Sequence, residues 1–253
     1  RISSPIQGGK SRFQSDGISG STYLPRDNLV SDVIDAFETN RFVLLSAPPC
    51  SGKTTLLQLI QKQLLLKNYQ VFGLNCLNCD DPFTLLYQGT GIDLLSRRCD
   101  PYDGEVFITI DDAQAIYNKE AFWNTLVKNS HWLPTNYSFL LSATHLLNLG
   151  LDSPVSFDCI CRFTRDDFIL TDSDSHKLID LLSSESDILS QDFQTLFHIL
   201  VQECAGLIGA LVVSMHAIED EFRKKRPTEK ECLNFIFSNK IIPRMNRCFG
   251  PSH

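Results

Sequence analysis

The sequence is short of the features that mark membrane, secreted and nucleic-acid-coating proteins. No stretch of its 253 residues approaches the ~18 apolar residues that a bilayer-spanning helix needs, so no membrane partner is expected. Positive charge is in deficit: 23 Lys and Arg stand against 30 Asp and Glu, a formal net charge of -7. Broad nucleic-acid binding needs a basic footprint, and direct binding of that kind is not expected here. The run Arg223-Lys224-Lys225-Arg226 reads as a solvated helix end. There are no internal repeats, and compositional bias is confined to residues 1–22, which are rich in Gly and Ser and expected to be flexible or loosely docked. A second Cys pair is missing too. Cys76-Leu77-Asn78-Cys79 therefore lacks the partner of a structural zinc site. Nine cysteines, some inside apolar runs such as Cys159-Ile160-Cys161 and at Cys204, imply a reducing intracellular compartment, cytoplasm or nucleus. The start, Arg1-Ile2-Ser3-Ser4, has neither an initiator Met nor the look of a signal peptide, and a longer parent protein is expected.

What is present is a chain with 43% hydrophobic residues, enough for one core plus a small appended domain. Leu29, Val30, Val33, Ile34 and Phe37 fall on one helical face. Phe42-Val43-Leu44-Leu45-Ser46 is a continuous apolar run, the pattern of a strand buried on both faces. An amphipathic helix follows from Thr54 to about Lys67, with Leu56, Leu57, Leu59, Ile60 and Leu64 as its apolar positions. Strands are expected at 69–74, 105–110 and 137–142, with helix from Asp81 to about Arg97, broken near Gly89 and Gly91. A further helix after Asp112 would turn Ala121, Phe122, Leu126 and Val127 to the core. This alternation predicts an α/β fold: a parallel sheet with crossover helices on both faces, three layers αβα, the core that a P-loop NTPase would have if the loop that follows Ser46 reads as a phosphate loop. From about Thr171 the rhythm changes to helices at 175–182, 192–204, 209–222 and 229–237. The expected division is a segment 1–22, an α/β core 23–170 and a helical lid 171–253.

Three motifs carry chemistry. Ala47-Pro48-Pro49-Cys50-Ser51-Gly52-Lys53-Thr54 lies between a buried strand and a helix. Such a loop surrounds phosphates with backbone N–H groups, adds the helix dipole, delivers a Lys to the β/γ-phosphates and places a Thr hydroxyl on Mg²⁺. Ala47 replaces the usual first Gly, a mild change if its φ is negative. Val106-Phe107-Ile108-Thr109-Ile110 ends in Asp111-Asp112 at the carboxyl edge of the sheet. Asp111 would hold Mg²⁺, and Asp112 would orient or deprotonate the attacking water, unless the pair only caps a helix. Ser142 and Thr144 at the next strand tip are candidates to reach the γ-phosphate or that water.

Ala47 through Thr55 resembles the loop of AAA+ ATPases and their STAND relatives, which read G-P-P-G-[ST]-G-K-[ST]-[ST]. On that resemblance Pro49, Cys50, Ser51, Gly52, Lys53, Thr54 and Thr55 bind the nucleotide. Leu24-Pro25-Arg26 is similar to the entry segment that contacts adenine. Cys204-Ala205-Gly206-Leu207-Ile208-Gly209-Ala210-Leu211 looks like the STAND motif G-L-P-x-A-L, which implies that Gly206 and Ile208 lie near the adenine. The loop followed by Leu56-Leu57-Gln58-Leu59 also resembles the NTPase region of Crinkler-type effectors, which implies a separate effector region and a host-cell location. The departures are Cys50 for Gly, Ile208 for Pro, and Thr144-His145 where a Thr-Arg sensor is frequent. Arg162 and Arg165 are the candidates for an arginine finger, a group worth ~10³–10⁵ in rate in related NTPases. Without one, slow hydrolysis is expected.

Three functions fit: an ATPase that uses ATP (or ADP) and Mg²⁺ to move its lid, a nucleotide-stabilised module that binds a protein partner or itself, and a small-molecule kinase. For the kinase, Arg97-Arg98 would have to read the substrate, although the pair looks more like a helix end. No guanine-reading N-K-x-D is present, which favours adenine.

Overall fold

The computed structural model describes residues 23–145, 160–189 and 193–249. The expectation for 1–22, and Cys159, lie outside the described residues. The elements run α1 Asp27–Thr39, β1 Phe42–Ser46, α2 Lys53–Leu66, β2 Gln70–Asn75, α3 Pro82–Thr90 and β3 Val106–Asp111, then a 3-10 turn Ala113–Ile116. α4 Glu120–Trp123, β4 Tyr137–Ala143, β5 Cys161–Phe163, α5 Arg165–Phe168 and α6 Asp172–Ser184 follow. The chain continues with α7 Gln194–Cys204, α8 Ile208–Phe222, α9 Glu229–Ile236 and α10 Ile242–Phe249.

These elements form two compact units. The first comprises, of the described residues, 27–46, 53–145 and 160–164. The second comprises 23–26, 47–52, 165–189 and 193–249, so the chain crosses from second to first between Gly52 and Lys53.

The first unit is a five-stranded sheet in the order β2-β3-β4-β1-β5, every pairing parallel. β1, β3 and β4 are buried at every position, which is why their runs carry no polar alternation. Successive residues face opposite layers. Leu44, Ile108, Phe139 and Leu141 join Leu86, Phe122 and Trp123 in one cluster. On the other face the Phe107 ring meets Phe37 of α1 edge-on at 4.8 Å, and Gln61 of α2 donates to Thr109 Oγ1. Helices thus cover both faces of the sheet. Every apolar position expected on α1 and α2 is buried.

Two expectations need correction. α3 stops at Thr90 and does not reach Arg97, because Gly91 takes φ 76 and caps the helix, its N–H bonded to Tyr87 O. A Cβ there would meet Asp100 Oδ2 at 2.5 Å. Arg97-Arg98 therefore lies in an exposed turn closed by the Asp93–Arg98 bridge, not at a helix end. After Asp112 there is no single helix: the 3-10 turn, α4 and a π segment Asn124–Lys128 share the stretch. Ala121 is exposed, and Trp123 takes the core position, its indole N–H donating to Ile116 O at 2.9 Å. The sequence reading also missed β5 and α10.

The second unit is helical after Thr164. Leu178, Leu196, Leu200, Leu211 and Ile218 form its core, which Leu24 joins.

Candidate functional site

In the first unit the chemistry collects where parallel strands end. Asn75, which ends β2, pairs with Asp111, which ends β3, and Ile110 pairs with Leu141, so Ser142, the last residue but one of β4, stands level with Asp111. Asp111 is 1% exposed. Its Oδ2 accepts from Thr54 Oγ1 at 2.8 Å, and its Oδ1 from Ser142 Oγ at 2.7 Å and from the Asp112 N–H at 3.0 Å. Burial pushes the Asp111 carboxyl above the usual carboxylate range, and the Asp112 charge adds to this. The Ser142 and Thr54 hydroxyls work in the opposite direction. Ser142, expected near a γ-phosphate, is fully buried and gives its hydroxyl to Asp111. Lys53 is 9% exposed at the start of α2, while Thr55 is half-buried.

Asp112 adopts φ 53, ψ 37, a left-handed conformation that costs a residue with a Cβ about 1 kcal/mol. It precedes the 3-10 turn without capping it through its side chain. Instead, Asp112 Oδ2 accepts from Asn75 Nδ2 at 3.3 Å, and Oδ1 from Gln114 Nε2 at 3.0 Å. Gln114 Oε1 accepts from the Thr144 N–H at 3.2 Å. Thr144 Oγ1 and His145 Nδ1 are 3.0 Å apart. Neither Asn75 nor Gln114 stood out in the sequence. The available signals were a polar residue ending β2 and a carboxamide two positions after Asp112.

In the second unit the loop 47–52 meets the start of α8. Ala47 is 2% exposed and is not among the positive-φ residues, so its methyl group is tolerated. Cys50, by contrast, sits at φ 58 and Gly52 at φ 88. The Ser51 N–H donates to Pro48 O at 3.4 Å, and Pro49 is exposed. A Cβ on Gly209 would meet Cys50 O at 2.3 Å, and one on Gly52 would meet Ile208 Cγ2 at 3.4 Å. Gly206, at φ +74, accepts from the Leu170 N–H at 2.9 Å, and a Cβ there would meet Leu170 O at 2.5 Å. Ile208 thus packs on the loop, and Gly206 packs on residues 169–170.

Leu24 is buried, Pro25 is exposed, and Arg26 is half-buried at φ 52. The Arg26 guanidinium donates to Asp167 O at 3.2 Å and lies 5.9 Å from the Phe168 ring centre. Burial lowers its pKa, against the opposing charge of Asp174. Arg162 in β5 and Arg165 at the start of α5 are exposed.

Among the described residues, no group of three or more His, Cys, Asp or Glu is placed to hold a metal ion. Cys76, Cys79, Cys99, Cys161, Cys204 and Cys232 are free thiols. No described helix is long and apolar enough to cross a membrane.

No protein-family model and no curated protein matches this sequence. Solved structures do match its fold. The Aeropyrum pernix ORC1 protein, solved in complex with DNA, aligns with a TM-score of 0.53 at 13% identity over 83% of this chain. This chain spans 65% of that ORC1 chain. A point mutant of Thermotoga maritima RuvB aligns with a TM-score of 0.53 at 16% identity, over 85% of this chain and 70% of its own. A second RuvB variant from the same organism aligns with a TM-score of 0.52 at 17% identity, over 83% and 68%. The fold, a five-stranded parallel α/β sheet with a helical C-terminal region, matches AAA+ ATPase domains.

Proposed function

We propose that this chain is a Mg²⁺-dependent P-loop ATPase that turns over slowly and uses its nucleotide state to move a helical lid, residues 171–253. The observation that carries this reading is the buried Asp111 with Thr54 Oγ1 on one oxygen and Ser142 on the other. The donor set fits Mg²⁺: a hydroxyl and a carboxylate oxygen side by side suit a hard cation that keeps most of its water. Thr54 and Asp111 would hold the ion, and Lys53 with the backbone of 49–55 would hold the phosphates of ATP or ADP. When bound, the ion neutralises the charge that develops on the phosphates.

The remaining work falls to the chain's own residues. Ser142 keeps the Asp111 carboxylate turned toward Thr54. Asp112 orients the attacking water or accepts its proton, and Thr144 faces the γ-phosphate from the β4 tip. By the resemblance alone, Leu24, Pro25, Arg26, Gly206 and Ile208 would contact the base. Slow turnover is expected because Cys50 strains the loop at φ 58, Ile208 stands in for Pro, and the exposed Arg162 and Arg165 are only candidates for an arginine finger. The STAND-like reading rests on 204–211 and the Crinkler-like reading on the loop; the latter would place the protein in a host cell. The free thiols support a reducing compartment. ORC1 was solved with DNA, but a net charge of -7 argues against direct nucleic-acid binding here. A protein partner or a second copy of the chain is the expected recipient of the lid movement.

One observation favours a second reading, a non-enzymatic nucleotide-held module: both Asp112 oxygens are already engaged by side-chain amides. Steady-state phosphate release with Mg-ATP separates the two. The ATPase reading expects release above background that Asp112→Asn abolishes while ATP binding persists. Bound ATP with no release from the wild-type chain would establish the module instead. For the kinase reading, Arg97-Arg98 would have to read the substrate from an exposed turn.

A further inference from the structure

We infer that Gln114 is a positioning residue for hydrolysis, holding Asp112 in register with the tip of β4. The inference rests on the reading of Asp112 as the group that handles the attacking water. The orientation of the Gln114 amide follows from its partners. The Thr144 backbone N–H is a donor only, so the oxygen of Gln114 must face it at 3.2 Å. That leaves Nε2 for Asp112 Oδ1 at 3.0 Å. One side chain therefore touches both the carboxylate and the strand tip.

The same 3-10 turn region secures the next residue as well. Tyr117 Oη donates to His145 O at 3.0 Å, and the two rings meet edge-on at 5.1 Å. Thr144 and His145 are thus each tied to residues 114–117, and Gln114 passes their position on to Asp112. Asp112 needs such a tether, because its left-handed backbone is not accompanied by a side-chain cap and its contact with Asn75 is longer, at 3.3 Å.

The test is steady-state and single-turnover ATP hydrolysis by the full 253-residue chain, with ATP affinity measured in parallel. Gln114→Leu should lower kcat at least about tenfold while KM and ATP affinity stay within about twofold. Gln114→Glu keeps an acceptor for Thr144 but turns an acceptor toward Asp112, so it should lose as much at neutral pH. In an Asp112→Asn background, Gln114→Leu should cost nothing further in single turnover, a coupling that general misfolding would not produce. Unchanged or raised kcat in Gln114→Leu, wild-type rate in Gln114→Glu, or an equal loss in both backgrounds would overturn the assignment. A wild-type chain that binds ATP but never hydrolyses it sinks the ATPase reading and this inference together. A turning-over wild type with an unaffected Gln114→Leu sinks this inference alone.

Discussion

In the first unit, polar side chains meet: Thr54 from the start of α2 and Ser142 from β4 each bring a hydroxyl within 2.8 Å of an oxygen of Asp111, the last residue of β3. In the second unit, the loop 47–52 and the start of α8 meet through backbone, at positions where a single Cβ would not fit. The first arrangement gathers polar groups around one buried carboxyl. The second leaves no room for added volume, because Gly209 and Gly206 face carbonyl oxygens, which cannot rotate away as a side chain can.

The sharpest way to break this contrast is volume in the second unit. Gly206→Ala combines a positive φ with an overlap on Leu170 O and should cost about 3 kcal/mol or more. Gly209→Ala regains about 1 kcal/mol of helix propensity, yet it still meets Cys50 O, so a smaller net loss is expected. Urea melts of both variants check the order. Weakened ATP binding in Gly209→Ala would further tie the α8 start to the loop.

The complementary substitution in the first unit should act in the opposite direction on stability. The Asp111 carboxyl is raised by burial, so its ionisation opposes folding at neutral pH. That opposition fades as pH falls through the raised folded-state value toward the unfolded one near 4. Asp111→Asn should therefore melt at or up to about 3 °C above wild type at pH 7, with the gap closing near pH 4. The same variant should lose Mg²⁺-dependent ATP binding. A clear drop in melting temperature at pH 7 would mean that the Asp111 charge is compensated in the free protein.

The smallest expected effect lies away from both sites. Thr228 and Glu231 form a capping box on α9. Lys225 first, then the Thr228 N–H and hydroxyl, hold the Glu231 carboxyl at about 2. A depressed carboxyl stabilises the fold above its unfolded value and loses that contribution as pH falls toward 2. Thr228→Ala should cost about 1 kcal/mol, or roughly 2–4 °C in melting temperature. Thermal melts should show that gap narrowing below about pH 4.

Sequence reading reached what is local and periodic. The apolar positions of α1 and α2, the buried runs of β1, β3 and β4, and Asp111 at a strand end each follow from a pattern a few residues wide. Gln114 and Asn75 were out of reach because their roles exist only once three strand ends stand side by side. Ser142 was found, but its direction was not, since only the β3–β4 register turns it onto Asp111. β5 has three residues, none of them buried, too short to leave a periodic signal. α3 ends at Gly91, one of the two expected breaks; what spacing did not reveal is that no helix resumes beyond it before Arg97.

That the loop at 47–54 binds ATP for turnover is tested most directly by mixing the purified chain with Mg-ATP, measuring bound nucleotide and timing phosphate release, with Lys53→Ala alongside. Tight binding and slow release are expected of the wild type, and at least a ~100-fold loss of affinity in Lys53→Ala, about 2.7 kcal/mol. Lys53→Ala binding ATP as the wild type does would contradict the claim.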